Sequence, residues 1–218
     1  SFTLGGAVQA AAQEIKGFVE SQLPCAAVTV SEGTVSIAYG AKPGACVWRG
    51  RTYAGTHTVT VKRTEATAIE VDHTWKDVSN GRVSVTGTAK VTWSGAEKTR
   101  RVEHTLTWTR LADGRTRTGS GDRTQRGYDG DLATGFQVDG WRAWDGPAGH
   151  WDLAIAGVKA RWADPVPDAG TYTLETPKGR TVTLSFSRVD ADTIACTLSS
   201  GGRTFTFRVS KLGTVTSV

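Results

Sequence analysis

Residues 57–93 read HTVTVKRTEATAIEVDHTWKDVSNGRVSVTGTAKVTW. One parity of this stretch carries Val59, Val61, Ile69, Val71, Trp75, Val83, Val85, Val91 and Trp93. The other carries Thr58, Thr60, Glu70, Asp72, Lys76, Ser84, Thr86, Thr88, Lys90 and Thr92. Alternation with a period of two describes strands with one buried and one wet face. The wet parity is rich in Thr, whose β-branched side chain suits an exposed strand position. Ser79-Asn80-Gly81 and Ser94-Gly95 punctuate the pattern as tight turns. The stretch therefore predicts consecutive antiparallel strands, and it sets the frame for the rest of the chain.

Outward toward the C-terminus the same grammar continues. Strands are expected at 99–110, 115–125, 135–144, 150–156, 158–162, 170–175, 180–188, 192–199 and 203–209, separated by Ala112-Asp113-Gly114, Lys178-Gly179 and Ser200-Gly201-Gly202. Asp164-Pro165-Val166-Pro167-Asp168 reads as a sub-boundary within one β domain spanning 25–218. Toward the N-terminus, strands fit 27–30 and 34–39. Before them, residues 1–24 change period. Leu4, Val8, Ala11, Ala12, Ile15, Phe18 and Val19 recur at steps of three and four, the stripe of one amphipathic helix that Pro24 stops. The fold class is all-β: an antiparallel meander forming a half-barrel or barrel, with a sandwich as the alternative and the helix packed on the sheet.

With 218 residues and 38% hydrophobic content, one core can bury roughly 70% of the unfolded surface. No run approaches the ~20 apolar residues of a membrane-spanning helix, so no transmembrane segment is expected. The chain begins at Ser1 and contains no Met. It reads as a processed chain whose targeting segment has been removed. Of three cysteines, Cys25 and Cys46 are close enough in sequence to form a disulfide, which suits an oxidising compartment. Cys196 lies in a strand-like run and reads as a small buried hydrophobe. The net charge is +5, and Lys98, Arg100, Arg101, Arg110, Arg115, Arg117, Arg123 and Arg126 concentrate it. Such a face suits an anionic glycan or envelope component as partner. Few aromatics share its parity, so there is no specific signal for nucleic acid. No Gly-x-Ser-x-Gly elbow, phosphate loop or dinucleotide fingerprint is present.

Two clusters carry candidate chemistry. Three histidines, His57, His73 and His104, fall on the buried parity. Hairpins centred near Glu65, Asn80, Gly95/Ala96 and Asp113 would align His57, His73, Gly87, His104 and Asp122 on one level. In that register the imidazoles and the carboxylate form a metal site of the kind zinc or another divalent ion uses, or Asp122 orients His104 as a base. The alternative is a set of hydrogen-bonded core histidines. The second cluster is Trp141, Arg142, Trp144, His150 and Trp151, with Asp145 among them. Aromatic rings beside charged groups suit a ligand-binding surface for glycans, and packing at a hairpin end is the alternative.

Val35-Ser36-Ile37-Ala38-Tyr39-Gly40, Gly44-Ala45-Cys46, Gly50-Arg51-Thr52-Tyr53-Ala54-Gly55 and Val59-Thr60-Val61 resemble a pattern of exported bacterial β-sheet proteins and lipoproteins. There a strand ending in Gly precedes a Cys, and a Gly-Arg turn opens a long meander. The resemblance covers residues 25–65. It implies an extracytoplasmic location (secreted, periplasmic or lipid-anchored) and a β fold, and it implies no particular chemistry.

The leading functional expectation is an exported cell-envelope or secreted β protein with a binding or structural role, without catalysis and without a cofactor. The alternatives are a metal-binding protein or metal-dependent hydrolase built on the histidine row, and glycan binding through the Trp-rich surface.

Overall fold

The computed structural model of the chain describes residues 8–65 and 67–217, without the side chains of Val8, Ala11 and residues 63–65. Helix α1 (Val8–Gln22) is followed by β1 (Ala27–Ser31), β2 (Thr34–Tyr39), and a short hairpin of β3 (Val47–Trp48) and β4 (Arg51–Thr52). Then come β5 (Ala54–Glu65), β6 (Ala68–Ser79), β7 (Val83–Ser94), β8 (Thr99–Arg110), β9 (Thr116–Tyr128), β10 (Asp131–Gly146) and β11 (Gly149–Arg161). The chain ends with β12 (Ala169–Glu175), β13 (Thr181–Arg188), β14 (Thr193–Ser200), β15 (Arg203–Ser210) and β16 (Val215–Ser217). Apart from the β3–β4 hairpin, all strands join one antiparallel sheet in chain order, from β1 to β16. The meander is as the alternation predicts. It forms no closed barrel, and one sheet takes every long strand in place of the two sheets of a sandwich.

Contacts divide the chain into two compact units: Ser1–Ala96 with Glu103–Thr118, and Glu97–Val102 with Gly119–Val218. In the first, α1 rests on β1, β2 and β5. Ala12 and Leu23 are buried, with Ile15 and Val19 packed against a core of Val28, Val35, Ile37, Val59, Val61 and Val71. Phe18, assigned to the apolar stripe from its spacing, is 64% exposed. The buried line runs through Ala12, Ile15 and Val19, and Phe18 lies to one side of it. Leu4 lies outside the described residues. The Cys25–Cys46 disulfide is formed, with Cα atoms 5.1 Å apart, and it closes the segment after the helix over 21 residues. A loop of that size stabilises a fold by ~3 kcal/mol in the chain-entropy model. No described helix is long and apolar enough to cross a membrane.

In the second unit, cross-strand pairing sorts residues strictly by face. Tyr172, Leu184, Leu198 and Phe205 are successive partners on one face. Thr173, Thr183, Ser199 and Thr204 are successive partners on the other. Thr197–Thr206 and Ser199–Thr204 hydroxyl pairs, both at 3.2 Å, join neighbouring strands of the polar face. A small core of Ile194, Cys196 and Val209 gathers Val166, Leu184, Phe186 and Phe207 on the apolar face. Cys196 is buried and unbridged, and burial raises its thiol pKa. Residues 150–156 and 158–162, expected as two strands, are the single strand β11, because Gly157 makes a bulge and leaves the strand unbroken.

Candidate functional site

The histidine row is displaced from its expected level. His57 faces Trp75 instead of His73, and His73 faces Ala89 instead of Gly87. Each of the first two hairpins is offset by two residues in its pairing sum, from 130 to 132 and from 160 to 162. An even offset preserves the face and shifts the level. His57 and His73 therefore still meet diagonally: Nε2 of the first lies 3.2 Å from Nδ1 of the second. Trp75 completes a stack, 4.9 Å from His57 and 5.4 Å from His73 between ring centroids, with all three rings close to parallel. Burial, and then the neighbouring charge of His73, lower the His57 pKa to about 4. That ring is neutral at pH 7.

Gly87 leaves no open space for a ligand. A Cβ there would sit 2.2 Å from the Thr105 carbonyl oxygen, so the backbone of β8 fills the gap. Asp122 is held by Arg101, whose Nε donates to its Oδ1 at 2.8 Å. This ion pair holds its carboxyl below the ordinary pKa against the opposing effect of burial. Arg101 has the opposite parity to His104 on β8, so its partner Asp122 lies on the wet face of the strand. The buried parity of β9 runs through Gly119 and Gly121 to Arg123. That run of small residues was a legible signal for the correct face. Among the described residues, no group of three or more His, Cys, Asp or Glu is arranged to hold a metal ion.

The tryptophan cluster divides over two faces. In the β10–β11 hairpin Trp144 pairs with Trp151, Arg142 with Leu153, Trp141 with Ala154 and Asp145 with His150. The Trp144 and Trp151 rings are stacked 6° from parallel, with centroids 6.1 Å apart. Arg142 lies on their face, two residues before Trp144. On the opposite face Trp141 is 45% exposed, and His150 bridges Asp145 at 2.7 Å and Asp152 at 3.1 Å. Both carboxylates raise the His150 pKa, that of Asp145 first. The hairpin thus presents a two-ring aromatic platform on one side and a charged triplet on the other.

Beyond the platform, Arg142 and Arg123 approach Tyr172. Burial raises the Tyr172 pKa, while the two guanidinium groups oppose that rise. In the sequence Arg123 belongs to the basic run from Lys98 to Arg126. Its Nε is buried and has no hydrogen-bond partner.

The segment 164–168 holds the most polar buried spot of the second unit. Asp168 is 3% exposed, the one buried charged residue among those described. Its Oδ2 accepts the Tyr128 hydroxyl at 2.8 Å and Nε of Arg188 at 3.1 Å, and Nε of Arg161 lies 3.3 Å away. Arg188 also bridges Asp164. The Arg161 guanidinium lies 4.8 Å from the centre of the Tyr128 ring. Burial, and then the hydrogen bond to Asp168, raise the Tyr128 pKa, so the phenol stays protonated. Chemically, the arrangement clamps the 162–168 connection. The sequence displays it only as a Pro- and Asp-rich segment, and its partners Tyr128, Arg161 and Arg188 carried no local signal.

No family model, curated protein or solved structure matches the chain.

Proposed function

We propose that this chain is an exported cell-envelope or secreted protein that binds a glycan without catalysis, using the face of the β10–β11 hairpin that carries Trp144 and Trp151. The observation that carries the reading is the near-parallel setting of these two rings on one strand pair. Parallel indoles offer broad, rigid apolar surface of the kind that receives the C–H face of a sugar ring, at small cost in conformational entropy. Arg142 beside them adds donors that can orient hydroxyl or acidic substituents. Export is supported by the Cys25–Cys46 bridge, which persists in oxidising compartments. A binding role without catalysis is supported by how the buried Asp168 is used: it fixes a connection through Tyr128, Arg161 and Arg188.

Titration of the protein with soluble polysaccharides tests this through tryptophan fluorescence. The wild type should show a saturable change, and Trp144→Ala should weaken binding by about tenfold or more, as loss of an aromatic anchor does. Equal titration curves for the wild type and Trp144→Ala would overturn the platform.

A further inference from the structure

Four arginines of the second unit have carboxylate partners. Arg101 pairs with Asp122, Arg126 with Asp139, Arg161 with Asp168, and Arg188 with Asp164 and Asp168. Arg123 and Arg142 appear in none of these ion pairs, and Arg123 differs from the exposed arginines outside these pairs in that its Nε is buried with no acceptor. A buried donor left unmatched costs about 1–3 kcal/mol, more when charged.

Their surroundings add positive charge. Arg142 and Arg100 lie near enough to lower the Arg123 pKa, after burial as the larger cause, and Tyr172 is the one nearby group that opposes the shift. A buried, unmatched guanidinium donor with the Arg142 guanidinium near it suits an anion. The register places this charge beside the aromatic platform. Arg142 shares its face with Trp144 and precedes it by two residues, about 7 Å along the strand. Gly140 lets β9 come close at this point, because a Cβ there would lie 2.8 Å from the Cα of Arg123.

We propose that Arg123 and Arg142 form an acid-binding subsite, which takes the carboxylate or sulfate of an acidic polysaccharide whose sugar rings lie on Trp144 and Trp151. This rests on the glycan reading above and narrows it to polyanionic chains. Arg142, the more exposed of the two, meets the acid group first. Arg123 supplies its buried Nε–H, and the Tyr172 hydroxyl is positioned as a further donor.

Calorimetric titration of the full chain with polygalacturonate, dextran sulfate, neutral dextran and sodium sulfate alone tests it. At least one of the two polyanions should bind, neutral dextran at least about tenfold more weakly, with affinity falling as salt rises. Arg123→Gln and Arg142→Gln should each lose about tenfold in affinity, while the exposed Arg117→Gln changes it less than about twofold. Arg142→Gln lies on an exposed side chain and keeps the test valid if Arg123→Gln does not fold. Should Trp144→Ala abolish binding while both arginine variants bind like wild type, the platform stands and the acid subsite falls. If both arginine variants lose binding and Trp144→Ala does not, the subsite stands and the glycan platform falls. Equal affinity for dextran and the polyanions, binding of sodium sulfate as tight as that of dextran sulfate, or no binding of either polyanion would overturn the proposal.

Discussion

In β6, Asp77 takes a φ of 51°, and the ladder slips beside it toward both β5 and β7. In β11, Gly157 takes a φ of 56°, and the ladder slips toward both β12 and β10. On one side each meets a glycine of φ 91°, Gly55 or Gly170, whose absent Cβ would lie 2.2 Å or 2.3 Å from the bulge residue's carbonyl oxygen. On the other side the bulge N–H is taken by a side chain: Thr86 accepts from Asp77, and Asp139 accepts from Gly157. A glycine follows each acceptor, Gly87 or Gly140, and its absent Cβ would lie 2.2 Å or 2.1 Å from the carbonyl oxygen of Thr105 or Asp122. One backbone device is thus built twice, over β5-β6-β7 and over β12-β11-β10. The reversed strand order explains why no repeat in the sequence announces it. The comparison separates two kinds of position. The flanking glycines are dictated by backbone approach. The central residue is freer, since Asp tolerates a left-handed φ and adds its own bond to Thr86.

The sharpest way to break this equivalence is to add one carbon at each flank. Gly55→Ala and Gly170→Ala should each cost about 3 kcal/mol or more, or prevent folding, as read from denaturant midpoints. At the central position, Gly157→Asn and Asp77→Gly should each stay within about 1 kcal/mol of wild type. If a flank variant is as mild as a central one, the two bulges do not share a mechanism.

The units also differ in what anchors them. The first uses a covalent bond and an apolar helix, and the second uses a buried carboxylate with its cations. Asp168→Ala should cost about 3 kcal/mol, because it removes the buried carboxylate that Tyr128, Arg161 and Arg188 share, whereas Tyr128→Phe should cost about 1 kcal/mol. Thermal melts would show whether the two losses combine to less than their sum, as they should within one network.

Histidines sharpen the contrast through pH. The folded pKa of His57, about 4, lies below its unfolded value near 6.5. The unfolded chain therefore binds the extra proton first. The full stability associated with neutral His57 is present above pH 6.5 and is lost as pH falls toward 4. The loss should reach about 2 kcal/mol after allowance for partial exposure, and it should be absent in His57→Phe. Denaturation midpoints of both proteins at pH 7.5 and 4.5 would measure it. His150 has the opposite sign. Its raised pKa gives a small contribution present below pH 6.5 and lost as pH rises through the folded value. Proton NMR should find the two rings titrating on opposite sides of 6.5, and His150→Ala should alter stability least of these variants.

Strand alternation in residues 57–93 was readable because burial on one face imposes a period of two, which local sequence displays directly. The same holds for the helix before Pro24, for most turns, and for the Cys25–Cys46 pairing over a short span. The level of the histidines was not readable. It depends on where each hairpin turns, and an offset of two keeps every face while separating residues expected to meet. Turn centres alone put Asp122 on the histidine face, whereas the buried Gly119 and Gly121 put it on the other. The division of the tryptophan cluster into two sides was present in the alternation itself, with Trp144 even and Trp141 odd along one strand.

By itself the sequence determined an antiparallel β meander with an N-terminal helix, because periodicity and turn chemistry are local. Only the tertiary structure decided that His57 stacks on Trp75, that Asp168 is gripped by Tyr128, Arg161 and Arg188, and that Arg123 lies within electrostatic reach of Arg142 and Tyr172. Those pairings join residues distant in the sequence, so no local pattern displays them.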